Sequence, residues 1–419
     1  MKNKSTEMSL GLLLNWAFAL LGVGLILYRM FFGIGAVTNL SDGYPWGLWV
    51  GLDILAGIAV AAGGFVMAGL IYLFGGHKYH ELARPAVLVA FIGYLCYMIG
   101  TIIDIGRWWN IPDIFWSQNH HSPLFEIAMC VFMYTTVLFL EILPAAFEKF
   151  KMETARQRWY SFSPWLVIGM MCLFCWWLTH SIAWVVAVFV IMLFWEINMR
   201  RGAMPRDKQT PILLILAGVT FSTMHQSTLG ALYLIAAEQL NALWYTGAMP
   251  VLFFISAVTV APAIVIFVAL SADKHWNYKA NLPLLSDLAK AMPVLLGIYL
   301  VAKFVDLLSR GAIAGIFELN SQSFSWWVEM IVGVLLPLVI YVFSRNESRR
   351  TGLYWASVFV IIGLILNRVN VAVVGIHVPK WETYYPHWME VMITVGIFSL
   401  GLLAFRYAVS FFPIYEEST

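Results

Sequence analysis

The stretch Ser222-Thr-Met-His-Gln-Ser-Thr-Leu-Gly230 holds six hydrogen-bonding side chains in nine residues, one of them a titratable histidine. It lies inside an apolar run, 211–236, long enough to cross a bilayer, where each unpaired polar group is costly. His225 can form hydrogen bonds and exchange a proton, and the amide and hydroxyls around it add further donors and acceptors. Other apolar runs carry ionisable residues at matching depth: Asp53, Asp104, Arg107, Glu126, Asp306, Arg310, Glu329, Arg368 and Glu390. Asp and Glu are too short to snorkel as Lys does. Together they predict a polar pocket near one face, wrapped in apolar helices. Bland readings stand beside this one. Glu390 and Arg310 fit an interfacial role, and Asp104 with Arg107, or Lys303 with Asp306, has the i,i+3 spacing of a structural ion pair. His225 alone would read as a satisfied core histidine.

A lipid-soluble ring with two carbonyl oxygens suits such a pocket. Quinone chemistry needs donors at the oxygens, groups that exchange protons and an apolar slot; His225, Asp104 and Glu126 are the candidates for the proton steps. Haem b needs two histidines on facing helices. Only His225 is well inside a span, with His180 at a break, so haem is disfavoured. Cys96, Cys130, Cys172 and Cys175 all lie in apolar segments and form no iron–sulfur or metal-binding pattern. The C-x-x-C at 172–175 reads as packing. Electrons must therefore be brought or removed by a partner. Glu126 and Glu141 are about 22 Å apart along one helix, with Tyr134 between them, and can border a proton path continued by Asp306 and Glu329. The alternative is that Glu141 is an end residue paired with a nearby cation.

The positioning elements follow from composition. Of 419 residues, 61% are hydrophobic and 11% charged, with mean hydropathy +0.80; a soluble domain carries about 25% charged residues. Net charge is +2, which leaves no nucleic-acid footprint. Apolar runs at 10–32, 47–74, 86–109, 122–148, 163–179, 181–199, 211–236, 248–271, 291–311, 325–344, 352–376 and 389–412 predict an all-α transmembrane bundle of about twelve crossings. It is one integral membrane domain, 1–419. Of the 25 Lys and Arg, 18 fall on the connections that share a side with the N-terminus and 4 on the other, which predicts cytoplasmic termini. The first apolar run has no small-residue cleavage site after it and is expected to be retained.

The motifs "GYPWGLWVGLDILAG" (43–57), "IIDIGRWWN" (102–110), "SPLFEIAMC" (122–130), "STMHQSTLGALY" (222–233), "AKFVDLLSRG" (302–311), "WWVEMIVG" (326–333) and "PHWMEVMITVG" (386–396) occur in an order that resembles the polysulfide-reductase membrane-subunit (NrfD/PsrC) family. Within it they are most similar to the hydrogenase-2-type and Dsr/Hmc-type branches. The resemblance implies ten core spans in a bacterial or archaeal cytoplasmic membrane; 160–209 departs from the family pattern as an inserted hydrophobic hairpin. It implies a menaquinone or ubiquinone site near the periplasmic face, no intrinsic iron–sulfur cluster, and a periplasmic ferredoxin-like iron–sulfur subunit docked above. Further catalytic or cytochrome subunits and membrane lipids are the other implied partners. On this footing the quinone would be held by Trp46, Asp53, Arg107, His225, Gln226, Ser227 and Arg368. The outer connections Leu40–Tyr44, Ile111–His121 and His377–Pro386 would form the landing surface. A secondary transporter is the runner-up, weakened by the lack of an inverted repeat; a purely structural anchor is the third reading.

Overall fold

The computed structural model of the chain describes residues 10–44, 46–117, 119, 121–201, 212–236, 239–275, 278–343, 350–377 and 383–415. Much of the charged connection at 200–208, most of 345–350, His120 and residues 378–382 of the expected landing loops lie outside them.

Among the described residues twelve helical segments follow one another: α1 (Leu10–Phe32), α2 (Trp49–Leu73), α3 (His77–Asp104), α4 (Pro123–Lys149), α5 (Glu153–Thr179), α6 (Ile182–Arg201), α7 (Ile212–Leu232), α8 (Met249–His275), α9 (Leu282–Ser309), α10 (Ser321–Phe343), α11 (Arg350–Val374) and α12 (Trp388–Phe411). Ten are long and apolar enough to cross a membrane; α6 is a shorter apolar helix. The tenfold set does not include α7, whose 21 residues would still span about 31 Å. There are no strands among the described residues, only the isolated bridges Ser41–Tyr44 and Leu240–Ile376. The protein is a polytopic helical bundle.

Helices α2, α3, α4 and α7 pack as one group and α8, α9, α10 and α11 as a second, with α8 joining them against α2 and α7. α1 and α12 pair on the outside of α3, and the α5–α6 hairpin lies against α4 and α7. The alternating direction is visible in what gathers at each end. At one, Arg84 donates to Pro413 O (3.0 Å) and Glu148 (3.1 Å), Tyr278 packs on Tyr415, and Arg350 pairs with Asp273. At the other, Leu48 N donates to Tyr384 Oη (2.8 Å), Asn241 N to Gly375 O (2.7 Å) and Tyr44 Oη to Val373 O.

Several boundaries differ from the sequence expectation: α3 begins at His77 rather than near 86, and α9 at Leu282 rather than near 291. α5 begins at Glu153, ten residues before the apolar run, because the charged segment 153–158 continues the helix as its first exposed turns. α3 stops at Asp104 rather than near 109. Ile105 is extended, and the buried Arg29 of α1 donates to Ile103 O (2.6 Å) and Ile105 O (2.7 Å), so a cation from another helix caps the terminal carbonyls.

Helices approach closely where both carry glycine. A Cβ on Gly363 of α11 would stand 2.0 Å from Gly333 Cα of α10; small residues at such crossings let membrane helices pack without an aqueous hydrophobic drive. Gly363→Ala is therefore expected to destabilise the bundle by about 1–3 kcal/mol, the usual range for overpacking. A lowered thermal midpoint in detergent would show it; an unchanged one would mean that α10 and α11 separate freely.

Candidate functional site

Asp104 closes α3 at the end that carries the connections 33–48, 105–122 and 375–387. Its carboxylate is within electrostatic reach of Arg29, Asp53, Tyr97, Tyr233 and Glu390, contributed by α1, α2, α3, the turn after α7, and α12. Because α3 ends at Asp104, residues 104 and 107 no longer share a helix face. No ion pair joins them among the described residues, Arg107 is exposed, and Arg29 is the cation beside the acid. The i,i+3 reading of that pair is corrected accordingly. Asp53 is 3% exposed, accepts from Thr394 Oγ1 (2.7 Å) through Oδ2, and has no partner for Oδ1 among the described residues. It sits in a π-helical stretch, Trp49–Ala56, and Gly100 makes room for it: a Cβ there would be 2.9 Å from Asp53 Cβ. Tyr233 is fully buried, its hydroxyl without a partner among the described residues, and its ring meets Trp46 edge-on at 5.0 Å. Aromatic rings, an acid, a cation and unpartnered polar atoms thus gather at one end of the bundle.

His225 lies one layer deeper. It is fully buried between Tyr94 and Tyr97, each with ring centroid 5.6 Å away, and its Nδ1 is 3.1 Å from Tyr94 Oη. Nε2 has no partner among the described residues, and Ser222 one turn earlier lies beside the Tyr94 and Tyr134 hydroxyls. Gln226 is placed by a break in α2. The run Gly57-Ile-Ala-Val-Ala-Ala-Gly-Gly interrupts the helix at Ala61–Ala62, where Ala62 N bonds Ala59 O instead of Ile58 O. Gln226 Nε2 donates to the freed Ile58 O at 3.0 Å, which satisfies a carbonyl that would be costly to leave bare. Ser227 is half-buried and Thr228 donates to Glu126 Oε1 at 2.7 Å. Further along α4, Tyr134 packs on Tyr94 (4.7 Å), and both Tyr134 and Glu141 flank Gly218 of α7. Glu126, Tyr134 and Glu141 therefore face one helix, with His225 and Ser222 between their levels.

A third group lies in α8–α11. Glu329 is 1% exposed and accepts from Trp244 Nε1 (3.0 Å), Asn367 Nδ2 (2.8 Å), Asn370 Nδ2 (2.9 Å) and Lys303 Nζ (3.3 Å). Arg368 is as buried, lies 3.6 Å over the Phe253 ring and donates to Ser256 Oγ (2.7 Å) and Asn367 Oδ1 (2.6 Å). Asp306 bonds Arg310 (2.6 Å) and Thr246 (2.5 Å), so the expected Lys303–Asp306 pair is replaced by two others. π-helical turns follow Glu329 (Ile331–Leu335) and Arg368 (Asn370–Val374), as one surrounds Asp53. Wide turns of this kind re-aim side chains at functional sites.

Sequence reasoning missed Arg29, Tyr94, Tyr97 and Tyr233. Tyr94, Tyr97, Thr101 and Asp104 do share a helix face by spacing, a signal that was available. Glu390 is not interfacial but 1% exposed, accepting from Asn39 N (2.9 Å), His387 N (3.0 Å) and Tyr384 Oη (2.5 Å); it ties two connections to the start of α12. His180 is exposed at the hairpin tip and meets Trp176 of its own helix.

The model of the family described as "Polysulphide reductase, NrfD" matches residues 36–380. A protein of Nitratidesulfovibrio vulgaris is 32% identical over 431 residues, covering 100% of this chain and 98% of its own. The "Probable Ni/Fe-hydrogenase 2 b-type cytochrome subunit" of Escherichia coli is 28% identical over 93% of this chain and 88% of its own. The "Menaquinone reductase, integral membrane subunit" of Nitratidesulfovibrio vulgaris is 26% identical over 92% of this chain and 86% of its own.

Proposed function

This chain belongs to the polysulphide reductase NrfD family, and from that premise we propose that it is the membrane subunit through which a respiratory complex exchanges electrons with menaquinone or ubiquinone. The observation that carries the reading is the cluster around Asp104, with Arg29, Asp53, Tyr97, Tyr233 and Trp46 on five different elements. In it Trp46 and Tyr233 are the ring walls. Asp104 exchanges the proton of one ring oxygen, and the Tyr233 hydroxyl donates to the other. The menaquinone-reductase relative supports a quinone as the ligand. The name of the Escherichia coli relative raises haem b. The described histidines suit that group poorly: His225 is enclosed by two tyrosines and His180 is exposed at the hairpin tip, so they offer no facing axial pair.

Electrons are carried to or from the site by an iron–sulfur partner seated over the aromatic connection Trp108–Phe115 and its neighbours. Trp109 and Trp116 are well exposed there, composition that suits a buried interface. The positive-inside rule puts the Arg84–Pro413 end in the cytoplasm and this surface outside it. A cysteine introduced at Lys279 should then resist membrane-impermeant maleimide in intact cells; labelling there reverses the orientation. The test of the function itself is purification through the full chain in mild detergent. An iron–sulfur partner should co-purify, and 2-heptyl-4-hydroxyquinoline N-oxide, a quinone analogue, should bind with quenched fluorescence. No quenching with the partner retained would remove the quinone site.

Protons reach the quinone along Glu141, Tyr134, Tyr94 and His225, with Glu126 and Thr228 beside them. In membranes containing the whole complex, Glu141→Gln is expected to lower the proton-to-electron ratio while the analogue still binds. An unchanged ratio and turnover would leave Glu141 a structural charge.

A further inference from the structure

Where α4 hands over to α5, the chain turns about Lys151, whose φ of 57° is in the left-handed region that a non-glycine residue rarely adopts. Two backbone bonds close the turn, Lys151 N to Glu148 O (3.2 Å) and Met152 N to Phe147 O (2.9 Å). The turn opens a surface groove of about 700 Å³ whose lining includes Phe147, Lys151, Met152, Arg158, Trp159 and Phe162. Its charge is uneven. Glu153, also on the wall, is paired with Arg156 at 2.9 Å, whereas Lys151 and Arg158 have no ion-pair partner among the described residues. Trp159 supplies a second, independent feature. It is 9% exposed, yet its indole N–H has no acceptor among the described residues. A buried donor left open beside two free cations asks for an anionic oxygen.

The groove lies at the junction of two candidate membrane spans, Pro123–Lys149 and Glu153–Thr179, on the end that also holds Arg84 and the C-terminal segment. Its rim is apolar: Met152, Phe162 and, one turn further along α5, Trp165 are exposed. A free phosphate would use the cations and leave that rim bare. A lipid uses both.

We propose that this groove binds one anionic phospholipid, the phosphate held by Lys151, Arg158 and the Trp159 N–H and the acyl chains laid along Met152, Phe162 and Trp165. Arg and Trp donors suit a phosphodiester geometrically, and basic residues at a membrane surface attract anionic headgroups.

The test is native mass spectrometry of the delipidated full chain in detergent, titrated with phosphatidylglycerol or with phosphatidylcholine of the same chain length. The wild type is expected to retain phosphatidylglycerol at about tenfold lower concentration, two added charges each contributing to headgroup attraction. The preference should vanish in Lys151→Gly with Arg158→Gln. Glycine keeps the left-handed turn, so this variant should elute and melt as the wild type does. Trp159→Phe keeps the ring, loses the N–H and should weaken retention about threefold. Equal retention of both lipids by the wild type, an unchanged preference in the double variant, or displacement of the lipid by glycerol phosphate would each overturn the assignment. Binding of the quinone analogue is read on the same samples and stays unchanged, so this proposal and the quinone reading fail separately.

Discussion

Asp104→Asn is expected to lower quinone-coupled electron transfer by about 10²-fold, the low end of what losing a proton-transferring group costs. Asparagine has the same shape and can still hydrogen-bond, but it cannot give up or take a proton at the carboxylate position. Three features single this residue out. It closes α3, where Arg29 fixes the terminal carbonyls and hence the backbone that carries it. It is half-buried, while Asp53 and Glu390 beside it are at 3% and 1%. Both of those already spend carboxylate oxygens on Thr394 or on Tyr384 and two backbone amides. Assembly with the partner should survive, because the substitution is isosteric. Arg107→Ala is the internal control: an exposed side chain off the α3 face should change turnover little. If Asp104→Asn turns over normally while bound to its partner and Asp53→Asn does not, the proton-exchanging acid is Asp53, one helix away.

The frame of this protein was legible because lipid imposes a simple demand: about 20 apolar residues per crossing, with polar connections between them. The ends of α1, α4 and α12 came within one residue of the apolar runs on that basis. Boundaries failed where charge and helix overlap, at the starts His77, Glu153 and Leu282, or where a distant side chain ended a helix, as Arg29 does for α3. The depth of the expensive residues was also legible, since position along a span is simple arithmetic. Partnership was not. Asp104 was assigned Arg107 by spacing, and Lys303 was assigned Asp306, but the geometry gives Arg29 to the first and Glu329 to the second. These partners come from helices far apart in the chain, and a helical periodicity carries no information across helices. Gln226 shows the same limit. Its Nε2 is committed to Ile58 O, which nothing in the sequence states, while its Oε1 has no partner among the described residues.

Glu329→Ala is expected to cost about 3–5 kcal/mol of stability, the range for removing one partner of a buried ion pair. The carboxylate is enclosed by four donors, and its loss would leave Lys303, 5% exposed, beside Arg368 with no compensating acid at hydrogen-bond distance. Thermal unfolding in detergent is the measurement. Replacing both partners separates charge from packing: Lys303→Met with Glu329→Leu removes the stranded cation and should recover part of the loss, since apolar pairs often substitute for buried ion pairs without penalty. The residual deficit belongs to Trp244, Asn367 and Asn370, which lose their acceptor. The same variants decide between anchor and proton carrier. A carrier must release an oxygen to hold a proton, but both oxygens of Glu329 already accept two hydrogen bonds each. An anchor therefore predicts that Glu329→Gln loses stability before activity. Turnover or proton ratio falling in Glu329→Gln at an unchanged melting midpoint would return the residue to the proton path.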